Sequence, residues 1–161
     1  MSRRILEEMT PLDRVRRFFA KSSLPPEIII FEQDTSTSAL AAQALGVEIG
    51  QIAKSLVFIG KKGEAVMVVT CGDVKVDTKK LKDLVGFKPK FASCAEVEAL
   101  TGYSPGGVCP FALQTDLPVY LDVSMKRYPV VYAAAGTHNT AVPLDFPRLL
   151  AITGGQSCDV C

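Results

Sequence analysis

The chain has a single histidine and an odd number of cysteines, five, in 161 residues. One histidine excludes a multi-histidine metal site. An odd thiol count without a secretory leader argues against a disulfide framework. Cys158 and Cys161 have CxxC spacing, but no second CxxC or histidine pair accompanies them to complete a zinc site. They read as a thiol tail with no special role. No apolar run is long enough to span a membrane, so no membrane partner is expected. The first residues, MSRRILEEMT, lack the apolar segment and cleavage site of a signal peptide, and a cytoplasmic location is expected. There is no GxGxxG turn, Walker loop or GxSxG elbow, and no convincing pair of acid and base carboxylates. Internal repeats and low-complexity linkers are absent too.

What is present fits one globular domain over residues 1–161, with 48% hydrophobic and 22% charged residues. The net charge of +1 does not by itself suggest a nucleic-acid binder. Its distribution is uneven. Residues 61–90 carry eight lysines against four carboxylates, and residues 1–21 carry six basic against three acidic groups. Such regions are either ordinary solvated faces or contacts for phosphates.

Local signals place helices and strands in alternation. Thr10 and Pro11 open a helix that stops by Ser22–Ser23, ahead of Pro25-Pro26. Glu27–Phe31 reads as a strand. The polar run Gln33–Ser38 offers caps for a helix through Leu45, closed by Gly46. Strands Ser55–Ile59 and Ala65–Thr70 form a hairpin around Gly60–Gly63. Asp77 caps the next helix, with Val76 and Leu81 as a hydrophobic staple. Lys88–Ala92 reads as a short strand. Ser93 and Glu96 make a capping box for a helix ending at Gly102. Strands follow at Pro118–Asp122, Val130–Ala134 and Thr140–Val142, with a helical turn or loop at Ser124–Tyr128. Leu144, Asp145 and Leu149 repeat the staple and cap before a helix ending at Thr153. The pattern predicts an α/β domain with a mixed sheet and helices packed against it.

Two places could carry chemistry. Thr101–Phe111, TGYSPGGVCPF, is rich in glycine and proline. It is either a tight connector or a loop that presents backbone groups to a ligand. Lys54 precedes an apolar strand and shares a face with Leu56 and Phe58 by alternation. Its ammonium either snorkels to water or points into a cleft, where it would bind an anion or serve as a desolvated base. Cys109 and His138 both lie in glycine-bearing loops, and a nucleophile–base pair is conceivable.

The segments Gln51–Leu56, Thr101-Gly102-Tyr103 with Gly106–Pro110, Leu117-Pro118 with Leu121-Asp122, and Ala135-Gly136 occur in an order that is identifiable. Over roughly residues 11–155 the chain resembles the YbaK/prolyl-tRNA synthetase-associated family, free-standing relatives of an editing domain. The resemblance implies a single α/β domain with a mixed, barrel-like sheet and surrounding helices. It implies an aminoacyl-tRNA deacylase that removes a wrong amino acid from the tRNA 3′ end, with no metal or other cofactor. Lys54 would hold the phosphate or terminal adenosine region. The Gly106, Gly107 and Pro110 loop would place the carbonyl and the water through backbone groups, with help from the tRNA 2′-hydroxyl or a substrate thiol. Thr37, Val108, Cys109, Gly136, His138 and Asn139 would contact substrate. The partner would be the aminoacyl-tRNA 3′ end, and a prolyl-tRNA synthetase in addition. A catalytically silent tRNA- or synthetase-binding module is the alternative. Thr37 stands where cysteine-specific relatives tend to carry an aromatic residue, and His138-Asn139 differs from their Arg-containing turn. Ala, Cys, Ser or another small amino acid therefore remain open as substrates.

Overall fold

A computed structural model describes residues 9–161; the reading of the first eight residues lies outside the described ones. Helix α1 (Pro11–Ala20) begins where the Thr10 hydroxyl accepts from the Asp13 N–H at 3.1 Å. Val15 and Phe19, four residues apart, face the core together. Helix α2 (Ser38–Leu45) is capped by Thr37 and closed by left-handed Gly46. Helix α3 (Thr78–Val85) starts at Asp77, whose carboxylate accepts from the Lys79 and Lys80 N–H groups. Val76 and Leu81 meet in one apolar cluster, as the staple predicts. Helix α4 (Cys94–Thr101) opens with the complete Ser93–Glu96 capping box. Helix α5 (Phe146–Thr153) is capped by Asp145, and Leu144 and Leu149 are both buried in the main core.

The strands form two sheets. β1 (Ile29–Ile30), β7 (Thr140–Leu144) and β6 (Val131–Ala133) make a three-stranded sheet in the order β1-β7-β6. The larger sheet has the order β4-β2-β3-β5-β8, from β4 (Lys90–Phe91), β2 (Ala53–Ile59), β3 (Ala65–Cys71), β5 (Val119–Asp122) and β8 (Gln156–Cys158). The β2–β3 hairpin is antiparallel, whereas β5 pairs parallel with both β3 and β8, so the sheet is mixed. Odd-numbered residues of β2 and β3, among them Ala53, Val57, Met67 and Val69, face the main core. Even-numbered ones, among them Phe58, Val66 and Val68, face a second cluster with Leu81 of α3.

Several expectations change. The expected barrel-like sheet is not closed into a barrel. The two sheets are joined by a single β-bridge, Ile52 with Tyr132, and beyond it that edge of β2 has no partner until β4. The strand expected at Glu27–Phe31 shrinks to Ile29–Ile30, whose registered partners are Ala141 and Thr140. The one expected at Lys88–Ala92 shrinks to Lys90–Phe91, because Pro89 has no N–H for a ladder. β7 runs past Val142 through Pro143, which lies beyond the stretch paired with β1. The segment Ser124–Tyr128 is a 3-10 helix over Val123–Arg127.

The cysteine tail is also not idle structurally. β8 extends the sheet, Cys158 and Val160 are buried, and the Asp77 N–H donates to the Val160 carbonyl at 2.6 Å. Asp122 binds this segment to the sheet. Its carboxylate accepts from the Ser124 N–H at 3.0 Å and the Val160 N–H at 2.8 Å. Burial pushes the Asp122 carboxyl upward, but the hydrogen bonds from Ser124 and Val160 outweigh it and hold the group below its usual range. Such a carboxylate stabilises the fold above the unfolded-state pKa, about 3.9, and the contribution is lost as pH falls through the folded-state value. Asp122→Asn is expected to cost about 1–3 kcal/mol near neutrality and to flatten the acid limb of stability. Denaturant unfolding across pH checks this; an unchanged acid limb would sink it.

Candidate active site

A cleft opens where one edge of β2 has no neighbouring strand. Antiparallel strands send the N–H and C=O of alternate residues to opposite sides. Even residues of β2 face β3, since the Gly72 N–H donates to the Ile52 carbonyl at 2.8 Å. Odd residues face the other edge, since the Ala92 N–H donates to the Val57 carbonyl at 3.0 Å. Between Ile52, bridged to β6, and Val57, joined to Ala92, lies the peptide of Ser55. Its N–H and C=O therefore point into the opening.

A cavity of about 310 Å³ fills this breach. Thr35–Ser38, Ala41 and Leu45 line one part, and Pro105, Gly106 and Val108 another. Ile52–Val57, Phe91, Tyr132 and Ala133 complete much of the wall. Lys54 is the one charged side chain among these described lining residues. Among the described residues, no carboxylate lies within ion-pair distance of it. An unneutralised ammonium beside apolar walls favours an anionic ligand. Lys54 thus lines the cleft and is partly buried. The Ser55 hydroxyl is buried with no hydrogen-bond partner among the described residues.

The Gly/Pro loop is held rigidly. Tyr103 is fully buried, and its hydroxyl donates to the Phe111 carbonyl. Burial drives the Tyr103 phenol far above its ordinary pKa. Arg14 of α1 stacks 5.1 Å from the Tyr103 ring centroid and donates to the Ala112 carbonyl at 2.6 Å. The Gly107 N–H donates to the Ser104 carbonyl at 3.0 Å, closing a turn, so that donor is committed inside the loop. A Cβ on Gly107 would lie 2.5 Å from the Gly136 carbonyl oxygen, and one on Gly106 2.7 Å from Ser36 Cβ. Gly106 also has a φ of +90°. These glycines let the loop abut the Gly136–Asn139 turn and the Ser36 segment.

The residues expected at the site are only partly brought together. Lys54, Gly106, Val108 and Thr37 line the cavity. Thr37 also serves as the α2 cap, its hydroxyl accepting from the Leu40 N–H at 3.1 Å. Gly107, Pro110, Gly136, His138 and Asn139 lie behind or beside the wall and do not line it. The His138 carbonyl accepts from the Thr35 N–H at 2.8 Å and Thr35 hydroxyl at 3.1 Å, while the Asn139 amide donates to the Phe31 carbonyl at 3.1 Å. Cys109 is corrected from wall residue to core residue. It has no exposed surface, packs with Tyr103 and Phe111, and burial pushes its thiol up to about 12. With His138 exposed, the pairing conceived for these two is not supported. Sequence reading missed Thr35, Ser36, Ser55, Phe91 and Tyr132. The Gln33–Ser38 cluster was a signal for the first two, but only as helix caps. Nothing local marked the others.

Comparison with known proteins agrees with this architecture. The family model described as aminoacyl-tRNA editing domain matches residues 32–152, and the chain belongs to that family. It is 41% identical over 133 residues to the uncharacterized Bacillus subtilis protein YwhH, covering 83% of this chain and 85% of that one. It is 30% identical over 131 residues to EbsC of Enterococcus faecalis, named as a proposed Cys-tRNA(Pro)/Cys-tRNA(Cys) deacylase, with 81% and 80% coverage. A crystal structure of a proposed trans-editing enzyme for prolyl-tRNA synthetase superposes with a TM-score of 0.86 at 38% identity, covering 94% of this chain and 97% of that one. Among the described residues, no helix is long and apolar enough to cross a membrane.

Two outcomes test the site geometry. Iodoacetamide on the native protein should label exposed Cys94 and spare Cys109, read by peptide mass spectrometry. Equal labelling of Cys109 while the fold persists would contradict its burial. Gly107→Ala should destabilise the protein by about 1–3 kcal/mol through the clash with Gly136, measured by denaturant unfolding; a neutral result would refute the close approach.

Proposed function

We propose that this protein acts in trans as an aminoacyl-tRNA deacylase, hydrolysing the ester of a tRNA carrying a wrong, small, uncharged amino acid. The single observation that supports it most is Lys54, a lone charge lining a cavity with otherwise neutral walls. The ammonium holds the anionic or ribose end of the tRNA terminus as a point charge. A cationic amino-acid side chain would find no counter-ion among the described lining residues and would be left unpaired, and an anionic one would compete with the tRNA terminus for Lys54. Water adds its oxygen to the ester carbonyl carbon, and the bond from that carbon to the tRNA ribose oxygen breaks. The proton lost by water ends on the leaving oxygen, giving a free amino acid and an uncharged tRNA. The described lining offers no imidazole or carboxylate to serve as base. Rate enhancement must then come from positioning and from dipoles aimed at the developing oxyanion.

The backbone groups of Gly106 and Val108 and the Ser55 peptide are the dipoles available for that role, the Gly107 N–H being committed to Ser104. Gly107 and Pro110 act by shaping the loop, and Gly136, His138 and Asn139 by holding the opposite turn. Thr37 and Val108 bear on the size of the accepted side chain. A prolyl-tRNA synthetase is the proposed protein partner, and the lysines of residues 61–90 add phosphate contacts.

The test is hydrolysis of a panel of aminoacyl-tRNAs by the wild type and Lys54→Ala. The wild type should release one small amino acid selectively, and the variant should be slower by about 100-fold or more. Equal rates would overturn the role of Lys54. tRNA binding by the wild type with no hydrolysis of any member would assign the fold to a binding module instead.

A further inference from the structure

Phe91 is a large aromatic residue left 62% exposed. It lies on β4 directly opposite Phe58 of β2, and the two ring centroids are 4.6 Å apart at 31°. Phe58 is fully buried. One face of the Phe91 ring is thus backed by a buried neighbour, and the rest of the ring is left to solvent. The residue is not simply a lid on the second core. It belongs to the lining of the cavity that contains Lys54 and the Ser55 peptide. Cross-strand pairing puts Phe91, Phe58, Leu56 and Lys54 on the same face of the sheet.

The charges around it suit a nucleotide. Lys90 precedes it and is exposed, as is Lys88 beyond Pro89. The nearby carboxylate, Glu96, is held in the capping box by the Ser93 N–H at 3.0 Å. Its pKa is lowered by those hydrogen bonds and, least of all, by Lys90. The cavity lining itself combines the backed aromatic face with the Lys54 charge, the pairing of stacking and charge that binds single-stranded nucleic acid, while Lys88 and Lys90 lie outside that lining.

Resting on the deacylase reading above, we infer that Phe91 is the stacking platform for the terminal nucleobase of the tRNA 3′ end, seated at the cavity mouth while the aminoacyl group enters the β2 breach. Phe91 is a binding residue for the base and takes no part in bond breaking. Stacking accepts any base, so selectivity for the terminal nucleotide comes from its attachment to the buried aminoacyl group.

The sequence contains no tryptophan, so Phe91→Trp gives a protein with one indole, placed at the proposed contact. Its fluorescence should be quenched saturably by a short single-stranded RNA ending in CCA. The same RNA with an abasic 3′ residue keeps the phosphates and should quench weakly or not at all. In hydrolysis assays on the aminoacyl-tRNA that the wild type cleaves, Phe91→Ala and Phe91→Leu should raise KM about ten-fold with kcat little changed. Phe91→Tyr and Phe91→Trp should stay near wild type. Thermal melts establish that each variant is folded. Equal quenching by the intact and abasic RNAs, or a wild-type KM in Phe91→Leu, would overturn the inference while leaving Lys54-dependent hydrolysis standing. Base-dependent quenching without hydrolysis of any aminoacyl-tRNA would uphold the platform and overturn the deacylase reading instead.

Discussion

The break in pairing along β2 is the constraint on which the rest of the site depends. The strand has β3 along one edge throughout, but its other edge meets β6 at Ile52 and β4 only from Val57 onward. A sheet paired across that interval would be closer to a closed barrel and would have no cleft. The breach leaves a main-chain donor and acceptor, those of Ser55, facing a cavity instead of a neighbouring strand. Unpaired main-chain groups are costly in a dry interior and useful at a binding site.

The second wall is made by loops that approach more closely than side chains would permit. Gly107 against the Gly136 carbonyl, and Gly106 against Ser36, leave no room for a Cβ. Arg14 and Tyr103 hold the loop from the core side, so its shape is set before any ligand arrives. The proposed reaction without a side-chain base would need such preorganisation, because reorganising dipoles during reaction would cancel their benefit. It also explains why the most reactive-looking residue of the loop, Cys109, is not on the surface. Its thiol belongs to the packing that makes the loop rigid.

The same physics separates the two kinds of positive charge in the protein. Lys54 is the single charge among the described residues lining the cavity, where its field is weakly screened. The lysines of α3 and its flanks are exposed and do not line that cavity. They are suited to weak, salt-sensitive contacts with phosphates rather than to discrimination between amino acids.

Sequence by itself determined the helices, because their caps are local. Thr10, Asp77, Ser93 and Asp145 each bond N–H groups within three residues, and no distant partner is needed to read them. It determined the hairpin, and it marked Lys54 and Gly106, which line the cavity. It did not decide which loop residues face the cavity. Val108 and Cys109 are adjacent, yet one lines it and the other is in the core, since the turn around Gly107 orients them. Nor did it decide that β8 would join the sheet, because parallel pairing to β5 depends on a strand over thirty residues away. The Ser55 peptide and the Phe91 ring became candidate binding groups only through the partners they lack on one side. An absent neighbour leaves no mark in the local sequence, and tertiary structure alone decides it.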